Sequence, residues 1–104
     1  MDTKLQVAQM ILEQLGGHKF KVMTGAKNFV GGPDSLSFTL PKCKDGINGF
    51  MIVLTPDDLY RVEALRCNRR AAEPRKVVES MDGVYNDMLQ GVFERMTGLR
   101  TKLF

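Results

Sequence analysis

The feature that most constrains the fold is a pair of strand-like segments joined by a short polar turn. Residues 35–40 (SLSFTL) alternate polar and apolar side chains, which is the period of a strand with one buried face. Pro41 ends the alternation, and the turn that follows contains Asp45-Gly46, a dipeptide typical of hairpins. Residues 49–54 (GFMIVL) are nearly all apolar, which predicts a central strand buried on both faces. Because hairpin-linked strands pair antiparallel, the segment predicts an antiparallel sheet.

Helix-like patterns flank this region on both sides. Residues 3–15 carry apolar side chains at the spacing of one helical face and are followed by Gly16-Gly17, which suits a helix end. Near the other end, Asp82 is a plausible N-cap and Gly98 a plausible C-cap. The apolar face predicted between these two caps consists of Tyr85, Met88, Leu89, Val92, Phe93 and Met96.

The remaining segments are read as strands and turns. Residues 19–23 alternate and predict a strand, and Phe29-Val30 suggests a second short one. Residues 55–58 (TPDD) carry the signature of a helix start. Residues 56–67 fit either a helix or a strand, and we favour one helical turn at 56–59 followed by a strand at 60–67. A basic hairpin loop at 68–74 and a last strand at 75–79 complete the prediction.

The predicted fold class is therefore α+β. An antiparallel sheet of about four to five strands would carry the N-terminal and the C-terminal helix on one face. With 104 residues, the chain is expected to form a single domain over 1–104.

Composition and termini exclude several classes of protein. No apolar run approaches the roughly 20 residues that span a bilayer, and residues 1–6 lack the pattern of a signal peptide, so we expect a soluble, cytoplasmic protein without membrane contact. Cys43 and Cys67 form no CxxC motif, and the chain has one histidine, so no metal site and no cofactor are predicted.

The candidate chemistry does not indicate an enzyme. His18 lacks an adjacent nucleophile motif, and a surface turn explains it. Asp57-Asp58 is explained by the N-terminus of a helix. A small hydrolase that uses His18 is the remote alternative.

The charge distribution offers the clearest functional signal. The chain has 15 Lys plus Arg against 12 Asp plus Glu, a net charge of +3. The stretch 61–76 alone holds six positive and two negative charges, so the positive excess lies within it. The cations of this stretch are Arg61, Arg66, Arg69, Arg70, Arg75 and Lys76. Around one hairpin they would form a basic tip that binds nucleic-acid phosphate or an acidic protein surface, although a solvated loop would show the same pattern.

Several short motifs also occur in a familiar order. They are QLGGHKF (14–20), MTGAKNF (23–29), LSF (36–38), DGIN (45–48), GVYNDML (83–89) and TGL (97–99). This order resembles a widespread family of small proteins encoded by bacteriophages and prophages, whose function is not settled. The resemblance implies an origin and brings no catalytic residues. It also implies a strand around residues 60–63, in agreement with the strand reading.

Among the matched motifs, Lys27 and Asn28 are polar residues without an evident structural duty and join the predicted binding set. The sequence thus predicts a non-enzymatic phage or prophage accessory protein in the bacterial host cytoplasm. It would bind nucleic acid or a nucleoprotein complex through the basic hairpin. The alternative is an inhibitor of a host defence system, similar to an anti-CRISPR protein, that binds a host protein. Self-association as a homodimer, through a sheet edge or an open sheet face, is left open.

Overall fold

A five-stranded antiparallel sheet forms the centre of the molecule, with its strands in chain order. The computed structural model describes residues 6–41, 43, 46–67 and 75–99. The strands are β1 (Lys27–Gly31), β2 (Ser35–Thr39), β3 (Gly49–Leu54), β4 (Tyr60–Cys67) and β5 (Arg75–Val84). Helices α1 (Gln6–Leu15) and α2 (His18–Thr24) precede them, and a 3₁₀ turn (Asn86–Met88) and helix α3 (Leu89–Thr97) follow. The predicted α+β class is confirmed.

The helices and the sheet meet through a cluster of four buried phenylalanines. Phe93 of α3 lies 5.0 Å, between ring centroids, from both Phe20 of α2 and Phe50 of β3. Phe38 of β2 lies 5.4 Å from Phe20 and is the register partner of Phe50. Each ring is at most 3% exposed. Because both helices contribute to one cluster, both pack on the same face of the sheet.

The middle strand β3 is central, as predicted, but is buried on one face only. Phe50 and Ile52 point into the core and are fully buried, whereas Met51 and Val53 are half-buried. A strand that helices cover on both faces would bury all of these side chains. The helices lie on one face, so the prediction of burial on both faces is wrong.

The strand predicted at 19–23 is wrong, because this segment is helix α2. A strand would place Phe20 and Val22 on the same face, but Phe20 is fully buried and Val22 is 68% exposed. The buried pair is Phe20 and Thr24, one helical turn apart, and the Thr24 hydroxyl donates to the Phe20 carbonyl at 2.7 Å. Gly25 ends the helix in the left-handed conformation, with φ of 73°.

The helix start predicted at 55–58 is also wrong, because these residues form the β3–β4 turn. The Asp58 amide donates to the Thr55 carbonyl at 3.0 Å, and the Thr55 amide donates to the Leu59 carbonyl at 2.8 Å. Asp58 adopts φ of 62°, a conformation that aspartate tolerates in tight turns. The same signals that start a helix, Thr-Pro-Asp, also suit a turn. The strand predicted at 60–67 is confirmed as β4.

The last helix ends at Gly98 as predicted but begins later than Asp82. Asp82 lies within β5, which runs five residues beyond the predicted end at Glu79. Tyr85 and Met88, which were predicted to face the core, are 57% and 43% exposed. The members of the predicted face that are buried are Leu89, Val92, Phe93 and Met96.

Removing a ring from the aromatic cluster should destabilise the fold strongly. Phe93→Ala would leave a cavity between α3 and the sheet, so we expect the free energy of unfolding to fall by about 3–5 kcal/mol in urea denaturation. Tyr85→Ala is the matched control and should change it by less than about 0.5 kcal/mol, since the side chain is exposed. An equal fall in the free energy of unfolding for Tyr85→Ala and Phe93→Ala would contradict the exposed position of Tyr85.

A second prediction concerns alkaline pH. The Tyr60 hydroxyl donates to Gln14 Oε1 at 2.7 Å and joins β4 to α1. Burial raises the pKa of Tyr60 above its ordinary value of 10.0. The unfolded chain therefore releases this proton first, so the stabilisation is present below about pH 10 and is lost as the pH rises through the folded pKa. Urea denaturation across about pH 9 to 11 should show a steeper loss in the wild type than in Tyr60→Phe. Parallel curves would contradict this assignment.

Candidate functional site

The hairpin predicted to be basic lies at one end of the sheet. In the β4–β5 register, Arg66 is opposite Lys76 and Cys67 is opposite Arg75. Both Arg66 and Lys76 are exposed. Arg69 and Arg70 lie outside the described residues, as do the connecting residues 68–74.

The strand register brings Lys27 to this same end of the sheet. Lys27 is opposite Thr39, Thr39 opposite Gly49, Gly49 opposite Leu65, and Leu65 opposite Val77. These residues therefore form one row across the sheet. Four interstrand spacings separate its ends, or about 19 Å. We define the basic end as Lys27, Arg66 and Lys76.

Asn28 has a structural partner at this end. It adopts φ of 58° at an irregularity in the β1–β2 register. Its side-chain amide donates to Thr39 Oγ1 at 3.1 Å, and the Thr39 hydroxyl donates to the Lys27 carbonyl at 3.0 Å. Asn28 thus stabilises the bulge that positions Lys27.

Arg61 is separate from the other predicted cations. Its guanidinium contacts Asp82 at 2.7 Å and Glu63 at 3.3 Å. The hydrogen bond and charge of Asp82, and then those of Glu63, raise the pKa of Arg61 above its ordinary value. Arg61 lies opposite Val53, toward the other end of the sheet. The structure therefore does not place it with the basic end.

Within the described residues, the cations of the basic end form no ion pair with a carboxylate. No carboxylate in the described ranges lies within ion-pairing distance of Lys27, Arg66 or Lys76, whereas the ion pairs that are present involve Arg61 and Arg95. A cation without a fixed carboxylate partner is available to an external anion.

Exposed aspartates lie at the opposite end, which we call the acidic end. Asp34 precedes Ser35, whose register partner is Val53, and Asp57 and Asp58 lie in the β3–β4 turn. Asp82 lies near the end of β5. The sheet therefore separates charge along its strands. Counting charges along the sequence found the basic segment but missed this separation, because it depends on which turns share an end.

The loop before β3 supports the hairpin. The Asn48 side chain donates to the Cys67 carbonyl at 2.9 Å and accepts from the Cys67 amide at 2.8 Å. The Arg66 side chain packs beside Gly46, where its Cδ would lie 3.1 Å from an added Cβ. These contacts hold the end of β4 close to the start of β3.

A shallow groove of about 290 Å³ crosses the sheet face opposite the helices at the basic end. Gly49 supplies space in its centre, since a side chain there would contact Leu65 and Cys67. The groove lies between Asn28 on one side and Cys67 on the other, with Ser37 and Thr39 in its wall.

Other candidate chemistry is sparse. His18 is exposed at the start of α2. Within the described ranges, no group of three or more His, Cys, Asp or Glu side chains is arranged to hold a metal ion. In the same part of the chain, no helix is long and apolar enough to cross a membrane.

Comparison with known proteins does not assign the chain to a group. No protein-family model, curated protein or solved structure matches it.

Asn48 should control the order of the basic hairpin. Asn48→Ala removes both hydrogen bonds to Cys67, so we expect the Cys67 amide to exchange with deuterium at least about tenfold faster. Asn48→Asp is the matched variant, since it can still accept from the Cys67 amide, and it should protect that amide better than alanine does. An exchange rate unchanged by Asn48→Ala would contradict this role.

Proposed function

We propose that this chain is a non-enzymatic binding module of phage or prophage origin that binds nucleic acid through the basic end of its sheet. The observation that carries the proposal is the availability of Lys27, Arg66 and Lys76. All three are exposed and lack a described carboxylate partner, whereas Arg61 is held by Asp82 and Glu63.

The width of the basic end suits a polyanion better than a single small anion. Lys27 and Lys76 lie on strands about 19 Å apart, while a DNA duplex carries one negative charge per roughly 1.7 Å of its axis. Lys27 shares a row with Leu65 and Val77, whereas Arg66 and Lys76 alternate with those residues, so the cations project from both faces of this end of the sheet. A polyanion that lies across the end would contact them with several phosphates at once. We include Arg69, Arg70 and Arg75 in the proposed binding surface because the sequence places them in or beside the same hairpin.

Contacts to phosphate rather than to bases are expected to dominate. Phe38 and Phe50 are the aromatic residues nearest the groove at this end, but their rings point into the core beside the helices and are 3% and 0% exposed. They are therefore not available to stack on bases, which is how single-strand platforms bind. We expect little sequence preference and strong dependence on salt.

Fluorescence anisotropy with labelled double- and single-stranded DNA and RNA tests the proposal. Affinity should fall steeply as salt rises. Arg66→Ala combined with Lys76→Ala should weaken binding to all sequences and reduce the slope of log K against log salt by about two. Arg69→Ala combined with Arg70→Ala should act in the same direction.

Arg61→Ala is the matched control. Since two carboxylates already hold Arg61, its loss should change the salt slope by less than the loss of either Arg66 or Lys76. Absence of binding at low salt, or equal effects of Arg61 and Arg66, would overturn the proposal. The first of these results would favour a host-defence inhibitor that binds protein, to be sought by pull-down from host lysate.

A further inference from the structure

Asn48 is followed by glycine, and the pair lies where the loop before β3 meets the end of β4. Asn48-Gly49 is the one asparagine-glycine pair in the sequence. Asparagine followed by glycine is especially prone to spontaneous deamidation, because glycine has no side chain to hinder attack of its own backbone nitrogen on the asparagine amide. The chemistry of this pair therefore depends on how the fold holds the Asn48 side chain.

Two hydrogen bonds hold that side chain against the backbone of Cys67. Nδ2 of Asn48 donates to the Cys67 carbonyl at 2.9 Å, and Oδ1 accepts from the Cys67 amide at 2.8 Å. Because the Cys67 backbone offers one donor and one acceptor, only one orientation of the Asn48 amide satisfies both. We call this pair of hydrogen bonds the Asn48 clamp.

The Asn48 clamp keeps the two reacting atoms apart. Deamidation needs the Gly49 backbone nitrogen against Cγ of Asn48, so the side chain must fold back over its own peptide bond. In the structure the side chain instead reaches across to β4. The Asn48 backbone is also fixed, since its amide donates to the Leu65 carbonyl at 3.0 Å and its carbonyl accepts from the Leu40 amide at 2.8 Å. Attack by Gly49 therefore requires that the clamp opens first.

We propose that Asn48 is a site of spontaneous deamidation, and that the reaction proceeds when the Asn48 clamp opens. The Gly49 nitrogen loses its proton and forms a bond to Cγ of Asn48. The bond between Cγ and Nδ2 breaks, and Nδ2 takes up the proton and leaves as ammonia. Water then opens the cyclic imide at either of its carbonyls, which gives aspartate or isoaspartate at position 48. The reaction consumes water from the solvent.

Either product loosens the basic end. A carboxylate accepts hydrogen bonds but cannot donate one, so the Cys67 carbonyl loses its partner and meets a negative charge. Isoaspartate also lengthens the backbone by a methylene group, at the point where Asn48 is tied to both Leu40 and Leu65. Because neither product returns to asparagine, the change in the basic end is permanent.

The consequence for nucleic acid rests on the proposed function. A carboxylate at position 48 adds negative charge beside Cys67, the residue next to Arg66, so affinity for a polyanion should fall. The deamidation itself needs no nucleic acid, so the two can be tested separately.

Peptide mapping by mass spectrometry measures the deamidation rate of Asn48 at neutral pH, in native buffer and in concentrated urea. The rate should be at least about tenfold lower in native buffer, where the clamp is closed for most of the time. Hydrogen exchange should protect the Cys67 amide by the same factor to within about threefold, because one opening event exposes both groups.

Gly49→Ala is the matched variant. An added Cβ would lie 3.5 Å from the Leu65 Cβ and 3.6 Å from the Cys67 sulfur, which are ordinary contact distances, so the circular dichroism spectrum should remain that of the wild type. The methyl group hinders formation of the cyclic imide. In urea, this variant should therefore deamidate at least about tenfold more slowly than the wild type.

Equal deamidation rates in native buffer and in urea would overturn the inference. A native rate well above the value that the Cys67 amide protection allows would show that the closed clamp reacts, and a rate well below it would show that the reaction needs global unfolding. Either result would overturn control by the clamp.

Deamidated protein, purified by ion exchange, tests the consequence. Its Cys67 amide should exchange faster than that of the wild type, and its affinity for labelled duplex DNA should be lower. An unchanged exchange rate would overturn the loosening of the basic end. Faster exchange, with no binding of nucleic acid by either form, would support the inference and overturn the proposed function.

Discussion

The packing of four phenylalanines between the helices and the sheet is the interaction on which the rest of the structure depends. Phe20 belongs to a helix that precedes the strands in the chain, and Phe93 belongs to a helix that follows them. Phe38 and Phe50 come from neighbouring strands. Because these rings need one another to be buried, both helices must lie on the same face. Within the described residues the other face carries no helix, and the five strands follow one another as a meander.

The meander in turn separates charge. In such a sheet, successive turns alternate between the two ends, so the turns after β1 and β3 share one end and those after β2 and β4 share the other. Asp34, Asp57 and Asp58 lie in the first pair of turns, while Arg66 and Lys76 flank the last hairpin. The mild net charge of the chain therefore becomes a separation of charge along the strands.

Much of the architecture could be predicted from local pattern. Alternation identified β2 and β4, and a left-handed glycine after an apolar face identified the end of α3. The failures share a physical cause, since they lie where a short pattern fits two structures. Residues 19–23 alternate, yet Phe20 and Thr24 are buried together only in a helix. Residues 55–58 suit a helix start, but β3 and β4 are close enough to pair only if these residues turn.

Some features of the candidate site could also be predicted from the sequence, whereas others depend on the tertiary structure. The sequence by itself determined the fold class, the order of the hairpins and the presence of a cation-rich segment, because all three are encoded in neighbouring residues. Only the tertiary structure decided that Lys27 shares an end with Arg66 and Lys76, and that Arg61 is held by Asp82. These relations join residues far apart in the chain. They depend on strand register, which the core sets through side chains distant from the charges themselves.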